Sequence, residues 1–212
     1  MRHILTNCYK AAIITQLIIL STAPLVSQAL PKEESLSFHA SHYDNAKKAN
    51  SYLRFDVTHR SVAGLISSTV NGYVKDFAVN GSYDSEKLDL SHAIVSFQVF
   101  AMDTNNGTRD GMMHKDTLKG IKYPGLQVAF SKTLKLGTQT VPAVMTVLGA
   151  KNNINVTVTI TDAGQSFLAS GSAKLSLNAL GIPSPKLLVK GIASVDDSIK
   201  ILYQISVKKK EL

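Results

Sequence analysis

Thiol chemistry is all but missing from this chain. Its single cysteine, Cys8, falls within residues 1–29, which read as a secretory signal: Arg2, His3 and Lys10 lie in a positive lead, Ala11 to Leu20 form an apolar core, and Ser27-Gln28-Ala29 offer small residues for cleavage. Once that segment is removed no thiol is left, which excludes a disulfide, a cysteine metal site and a cysteine nucleophile. Cys8 also lies far from the cleavage point, against a lipoprotein anchored through its first mature residue. The apolar run is broken by Thr15 and Gln16 and followed by Pro24, short of the roughly 20 residues a membrane helix needs; an uncleaved anchor is the alternative. Tryptophan is absent and aromatics are 7% of the chain, so any interior is lined mainly by Val, Ile, Leu, Ala and Phe. No nucleophile elbow, zinc-helix pattern or phosphate loop occurs, which leaves a hydrolase little to stand on. From 23 basic and 15 acidic residues, loss of Arg2 and Lys10 leaves a net charge of about +6, too evenly spread and too poor in interleaved aromatics for a nucleic-acid surface.

What is present is alternation with a period of two. Residues 30–50 are polar and read as a loosely ordered lead-in; the domain spans 51–208, and residues 209–212 form a basic tail. Leu53, Phe55 and Val57 alternate with Arg54, Asp56 and Thr58 as a half-buried strand requires, and His59 ends that face. Residues 61–70 read as a short helix or loop. Further strands are expected over Tyr73 to Tyr83, His92 to Met102, Gly125 to Leu136, Val141 to Leu148, Asn153 to Ile160, Phe167 to Leu177 and Ile199 to Val207. The stretch 92–102 is apolar on both faces, with Val95, Phe97 and Val99 on one and Ile94, Phe100 and Met102 on the other. Ile154, Val156, Val158 and Ile160 against Asn155, Thr157 and Thr159 give one dry face and one wet one.

Eight strands joined mostly by short turns predict an all-β fold. An antiparallel up-and-down barrel with one or two short helices follows, the alternative being a two-sheet sandwich. Such a barrel is either filled by its own side chains or holds one elongated apolar ligand. The long interruption is 103–124, where Arg109 and Asp110 open a short helix and Tyr123-Pro124 ends the excursion; it is the expected mouth.

These residues resemble the YceI-like family of secreted, lipocalin-like barrels. Phe55-Asp56-Val57-Thr58-His59 is similar to the family's opening strand, and Gly72-Tyr73-Val74-Lys75-Asp76-Phe77 to its glycine and phenylalanine stretch, with Val74 in place of the first Phe. Asp103-Thr104 and Arg109-Asp110, followed by Tyr123-Pro124 and a strand ending in Phe130, resemble its central signature. Met145 to Gly149 and Leu180-Gly181-Ile182 are softer matches, while Asn153, Met112 and Thr117 depart from the usual Pro, His and Phe. The resemblance implies an eight-stranded lipocalin-like barrel, periplasmic or secreted. It implies binding of a polyisoprenoid or isoprenoid quinone without catalysis, and no cofactor beyond that lipid. A membrane surface or a membrane quinone protein is the implied partner, with self-association into a homodimer. A filled-core, stress-associated or protein-interaction barrel is the alternative role.

The expected pore lining is Phe55, Val57, Phe77, Val95, Phe97, Val99, Val128, Phe130 and Phe167, each also explained as ordinary core. The expected polar mouth is His59, Asp103, Arg109 and Asp110. There Arg109 pairs with Asp103 or Asp110, or binds a ligand's oxygens through its planar fork; the structural pairing is favoured, with Asp110 helping to start the helix. Met112-Met113-His114 carries soft ligand atoms, but three adjacent residues do not make a metal site. The triplets at Asn80, Asn106 and Asn155 carry no functional weight.

Overall fold

A computed structural model describes residues 32–39, 42–61, 66–84, 88–182 and 193–209; the signal read over 1–29, the loop residues 183–190 and the tail residues 210–212 lie outside them. Strands form where Val, Ile and aromatic residues alternate with Ser, Thr and Asn. The described strands are β1 (Lys32–His39), β2 (Tyr52–Ser61), β3 (Ile66–Val74), β4 (Asp76–Asp84), β5 (Asp89–Gln98), β6 (Met102–Asp103), β7 (Gly125–Phe130), β8 (Gly137–Val147), β9 (Ala150–Asp162), β10 (Ser166–Ser176) and β11 (Ala193–Lys208). All belong to one curled antiparallel sheet, in the order β1-β4-β5-β7-β8-β9-β10-β11-β2-β3-β6.

Eleven described strands stand where eight were expected, and bends account for most of the difference. β3 and β4 are one pass of chain bent at Lys75, whose N–H donates to the Ala101 carbonyl at 2.9 Å. β5 and β6 are likewise one pass, interrupted by a single helical turn at Val99–Ala101. The two bent passes pair on both sides of the bend, Val79 with Val95 on one side and Val74 with Met102 on the other. The sheet order therefore runs back onto its own start as a ring of eight passes, with β1 added along β4.

Three local expectations are corrected. The stretch 61–70 is neither helix nor loop where it is described: Ile66 to Tyr73 pair with β2, and the alternation was hidden because Ile66 to Thr69 are exposed on both faces. The strand expected to reach Leu136 stops at Phe130, beyond which Leu134 forms an isolated bridge to Leu90. The polar lead-in holds β1 and a helix, α1 (Tyr43–Lys48), which buries Ala46 and sets Tyr43 edge-on to Tyr73 at 5.3 Å between ring centroids.

Two aromatic rings lie across the inner wall on glycines of the neighbouring strand. Phe55 is paired with Gly72, and its ring occupies the space a β-carbon there would need. Tyr203 is paired with Gly171, its hydroxyl only 2.6 Å from where that β-carbon would sit, and it donates to the Thr157 carbonyl at 2.9 Å. Desolvation by burial pushes the Tyr203 phenol up from its ordinary range, so it stays a neutral donor. A β-carbon at Gly171 would meet the Thr157 carbonyl of β9 first and the Tyr203 hydroxyl next. Gly171→Ala is therefore expected to push the strands apart, dislodge that ring and lower stability by about 1–3 kcal/mol, read as a fall in Tm of roughly 5 °C; an unchanged melting curve would refute the close-packing argument.

Candidate functional site

The inward faces of the ring enclose a cavity of about 1150 Å³. That exceeds the roughly 300–1,000 Å³ of ordinary small-molecule sites, whereas a filled core leaves few voids larger than a water. The wall is aliphatic over most of its area. Most polar lining side chains gather at one end, His59 on β2 and those from Thr104 to Lys119, with Arg54 and Tyr203 the exceptions along the wall. The other end is stopped by a cluster that includes Tyr83, Leu134, Ile160 and Phe167.

Six of the nine side chains expected along a pore line this cavity: Phe55, Val57, Val95, Phe97, Val128 and Phe130. The other three are corrected. Val99 is 1% exposed but sits in the helical turn, where strand parity lapses. Phe77 follows the bend at Lys75 and lines a smaller separate hollow with Ser96 and Ala101. Phe167 belongs to the closing cluster, edge-on to Tyr83 at 5.6 Å and with the Lys209 ammonium 4.5 Å from its ring centre. Met102, expected on the outer face, lines the cavity because the same turn reverses which side chains point inward.

Sequence reasoning also missed lining residues that had a visible signal. Ile199, Ile201 and Tyr203 share one parity of the last strand and Val156 and Val158 the dry face of β9, yet parity alone did not distinguish cavity from core. Met112 and Met113 had no such signal, since they lie in an irregular helix.

At the mouth, Thr104 is a buried polar residue, 5% exposed, and the surrounding groups satisfy it. Its N–H and hydroxyl donate to the Asp110 carboxylate at 3.0 and 2.6 Å. Arg109 donates from Nε to the Thr104 hydroxyl oxygen at 2.7 Å and from Nη2 to the Thr104 carbonyl at 2.8 Å. Arg109 is thus held by Thr104, not by Asp103 or Asp110. Helix α2 (Gly107–Gly111) begins ahead of Arg109, capped by the Asn106 side chain, which accepts from the Arg109 N–H at 3.0 Å; Asp110 ties the preceding loop to it.

Asp103 faces the other way, to Lys75 at 2.7 Å and the Asn105 N–H at 2.7 Å. Burial pushes its carboxyl up, but those donors outweigh burial and hold it below the usual carboxylate range. Of the four mouth residues expected, His59 and Arg109 line the cavity; Asp103 and Asp110 brace the segment from outside it.

Beyond Gly111 the helix widens, with the Leu118 N–H donating to the Met113 carbonyl at 2.9 Å. This turn brings Met112, Met113, Lys115 and Lys119 to the cavity. His114 is structural: its Nε2 donates to the Met102 carbonyl at 2.7 Å and its ring meets Phe100 edge-on. His59 contacts the Ser68 hydroxyl through both ring nitrogens, at 3.1 and 3.2 Å, an arrangement in which neither nitrogen is aimed at the oxygen as a general base requires. Among the described residues no group of three His, Cys, Asp or Glu side chains could hold a metal.

A family model described as the YceI-like domain matches residues 45–207. No curated protein matches the chain significantly. Among solved structures, the chain is similar to Burkholderia cenocepacia BcnA, at 18% identity and a TM-score of 0.57, over 73% of this chain and 96% of that one. It is similar to the Campylobacter jejuni YceI protein, at 20% identity and a TM-score of 0.59, over 69% and 89%. A polyisoprenoid binding domain from Saccharophagus degradans, implicated in plant cell wall breakdown, aligns at 9% identity and a TM-score of 0.53, over 76% and 98%. At these identities the likeness is one of fold.

The depressed Asp103 pKa makes a signed prediction. Its contribution to stability is complete above the unfolded carboxylate value of about 3.9 and is lost as pH falls through the lower folded value. A Lys75→Met variant removes the main stabilising partner, so its Tm should lie below the parent's at neutral pH and the two should converge in acid. A gap that persists unchanged to low pH would show that Lys75 acts by packing alone.

Proposed function

The chain belongs to the YceI-like family, whose model spans residues 45–207, and from that premise we propose that it binds the tail of a long isoprenoid lipid in the barrel interior without catalysing a reaction on it. The observation that carries this reading is the cavity of about 1150 Å³ inside the ring, with a predominantly aliphatic wall. The polyisoprenoid binding domain of Saccharophagus degradans shares the fold, which supports a polyprenyl chain over a compact ligand. The cargo is a polyprenol derivative or an isoprenoid quinone, and the protein serves as its carrier or store in the periplasm or outside the cell.

Binding by burial suits these side chains. Each methylene taken out of water contributes about 0.8 kcal/mol, so roughly 20 carbons supply on the order of 16 kcal/mol gross. Much of that is offset by immobilising a flexible tail. Chain-length preference then follows from the distance between the polar mouth and the closing cluster around Phe167. The few polar groups at the mouth orient a head group and leave it near water.

Mass spectrometry of the organic extract of detergent-free protein, beside a mock purification, should yield a stoichiometric isoprenoid. An empty extract from folded protein that also refuses added quinone would overturn the proposal. Ala169 lines the cavity and packs against the closing cluster, so Ala169→Trp should shorten the pocket from its closed end. Affinity for long-tailed quinones should drop about tenfold or more while short-tailed analogues bind as before; equal loss for both lengths would show that the tail does not reach Ala169.

A further inference from the structure

Two large apolar side chains stand out in water beside the mouth. Ile121 is 82% exposed and Phe100 is 48% exposed. They are neighbours: the Phe100 ring lies 3.1 Å from where a β-carbon on Gly120 would sit, next to Ile121, and meets the His114 ring edge-on at 5.2 Å. The exposure of Ile121 is imposed by the backbone. The Gly120 N–H donates to the His114 carbonyl at 2.7 Å, and the Lys122 and Tyr123 N–H groups both donate to the Lys119 carbonyl at 2.9 Å. The tight turn so formed holds Ile121 outward.

The segment that carries Ile121 is rich in cations. Between Met112 and Pro124 the sequence has Lys115, Lys119 and Lys122 against a single acid, Asp116. Lys115 and Lys119 also line the cavity, and Lys122 sits over the Tyr123 ring at 5.1 Å. An exposed Ile or Phe alone needs no explanation. Two exposed apolar side chains on and against a lysine-rich turn that walls an apolar cavity match the chemistry of an interfacial anchor on an anionic bilayer.

We propose that the Phe100–Ile121 rim docks on an anionic lipid bilayer, seating the cavity mouth against the surface from which an apolar chain enters. The docking stands on the rim; the entry of an isoprenoid there rests on the function proposed above. Insertion of Ile121 and Phe100 removes their apolar surface from water, while Lys115, Lys119 and Lys122 meet lipid phosphates. The test is flotation of the purified protein with lipid vesicles that contain no isoprenoid, either pure phosphatidylcholine or a mixture with phosphatidylglycerol.

Binding is expected to the mixed vesicles and to fall with added salt. Ile121→Ser should weaken it about tenfold and Lys122→Gln about fivefold. Leu136, 45% exposed beside Leu134 of the closing cluster, supplies the control, because Leu136→Ser should leave vesicle binding unchanged. Equal binding to both vesicle types, equal loss in the Ile121 and Leu136 variants, or no flotation at all would overturn the proposal, the last turning the rim toward a protein partner. A second arm measures quinone transfer from mixed vesicles into the protein. Docking without transfer would count against the isoprenoid reading and leave the docking intact.

Discussion

The fold depends on one short seam, where the bent pass β3–β4 meets the bent pass β5–β6. A curled sheet whose ends stay apart presents two rows of unpaired N–H and C=O groups and opens its apolar face to water. Here the ends meet through Tyr73 with Asp103, Val74 with Met102 and the Lys75 N–H on the Ala101 carbonyl. The register slips across the helical turn at Val99–Ala101, which lets the same two passes pair again from Ala78 with Ser96 onward. The Lys75–Asp103 ion pair clamps the bend itself. The turn that closes the ring also launches the chain into the mouth segment, so ring closure and mouth geometry share one set of residues.

Once the ring is closed, its interior is larger than its side chains fill. Tryptophan is absent, and the two aromatic rings that lie against glycine, Phe55 over Gly72 and Tyr203 over Gly171, are pressed flat on the wall rather than directed to the axis. Ala169 and Ala173 add further room on β10. Filling such a barrel would take a handful of large inward residues. The chain instead spends its bulk at one end, where Tyr83, Leu134 and Phe167 stop the cavity. A mainly aliphatic hollow closed at one end is unfavourable to fill with water, because most of its wall offers none of the hydrogen bonds a water needs.

Much of this was legible from alternation alone. The antiparallel all-β class, the eight passes, and the inward parity of Phe55, Val57, Val95, Phe97, Val128 and Phe130 all follow from period-two patterning read against turns. Reading failed where parity lapses or carries no contrast. Val99 looked like a strand residue because nothing in Val99-Phe100-Ala101 marks a helical turn. Ile66 to Thr69 looked like a loop because both faces of that strand end are wet. The mouth was legible as a place but not as a network. Charge suggested that Arg109 would seek Asp103 or Asp110, whereas buried Thr104 took both neighbours, since a buried hydroxyl and its backbone groups left unsatisfied cost more than an exposed ion pair gains.

That network bears on what the site can select. A guanidinium carries five N–H donors, and Arg109 commits its Nε and one Nη2 hydrogen to Thr104. Asp110 is likewise turned inward on Thr104 and away from the cavity. Thr104, Arg109 and Asp110 are therefore engaged first in holding residues 104–110 in place, and a head group bound as proposed would meet a rim whose shape they fix. On the proposed reading, discrimination among cargoes falls to the wall, where chain length and branching decide how much apolar surface is buried before a tail meets Phe130 and the closing cluster that includes Ile160. If the cavity holds a lipid tail as proposed, it should separate long chains from short ones more sharply than one head group from another.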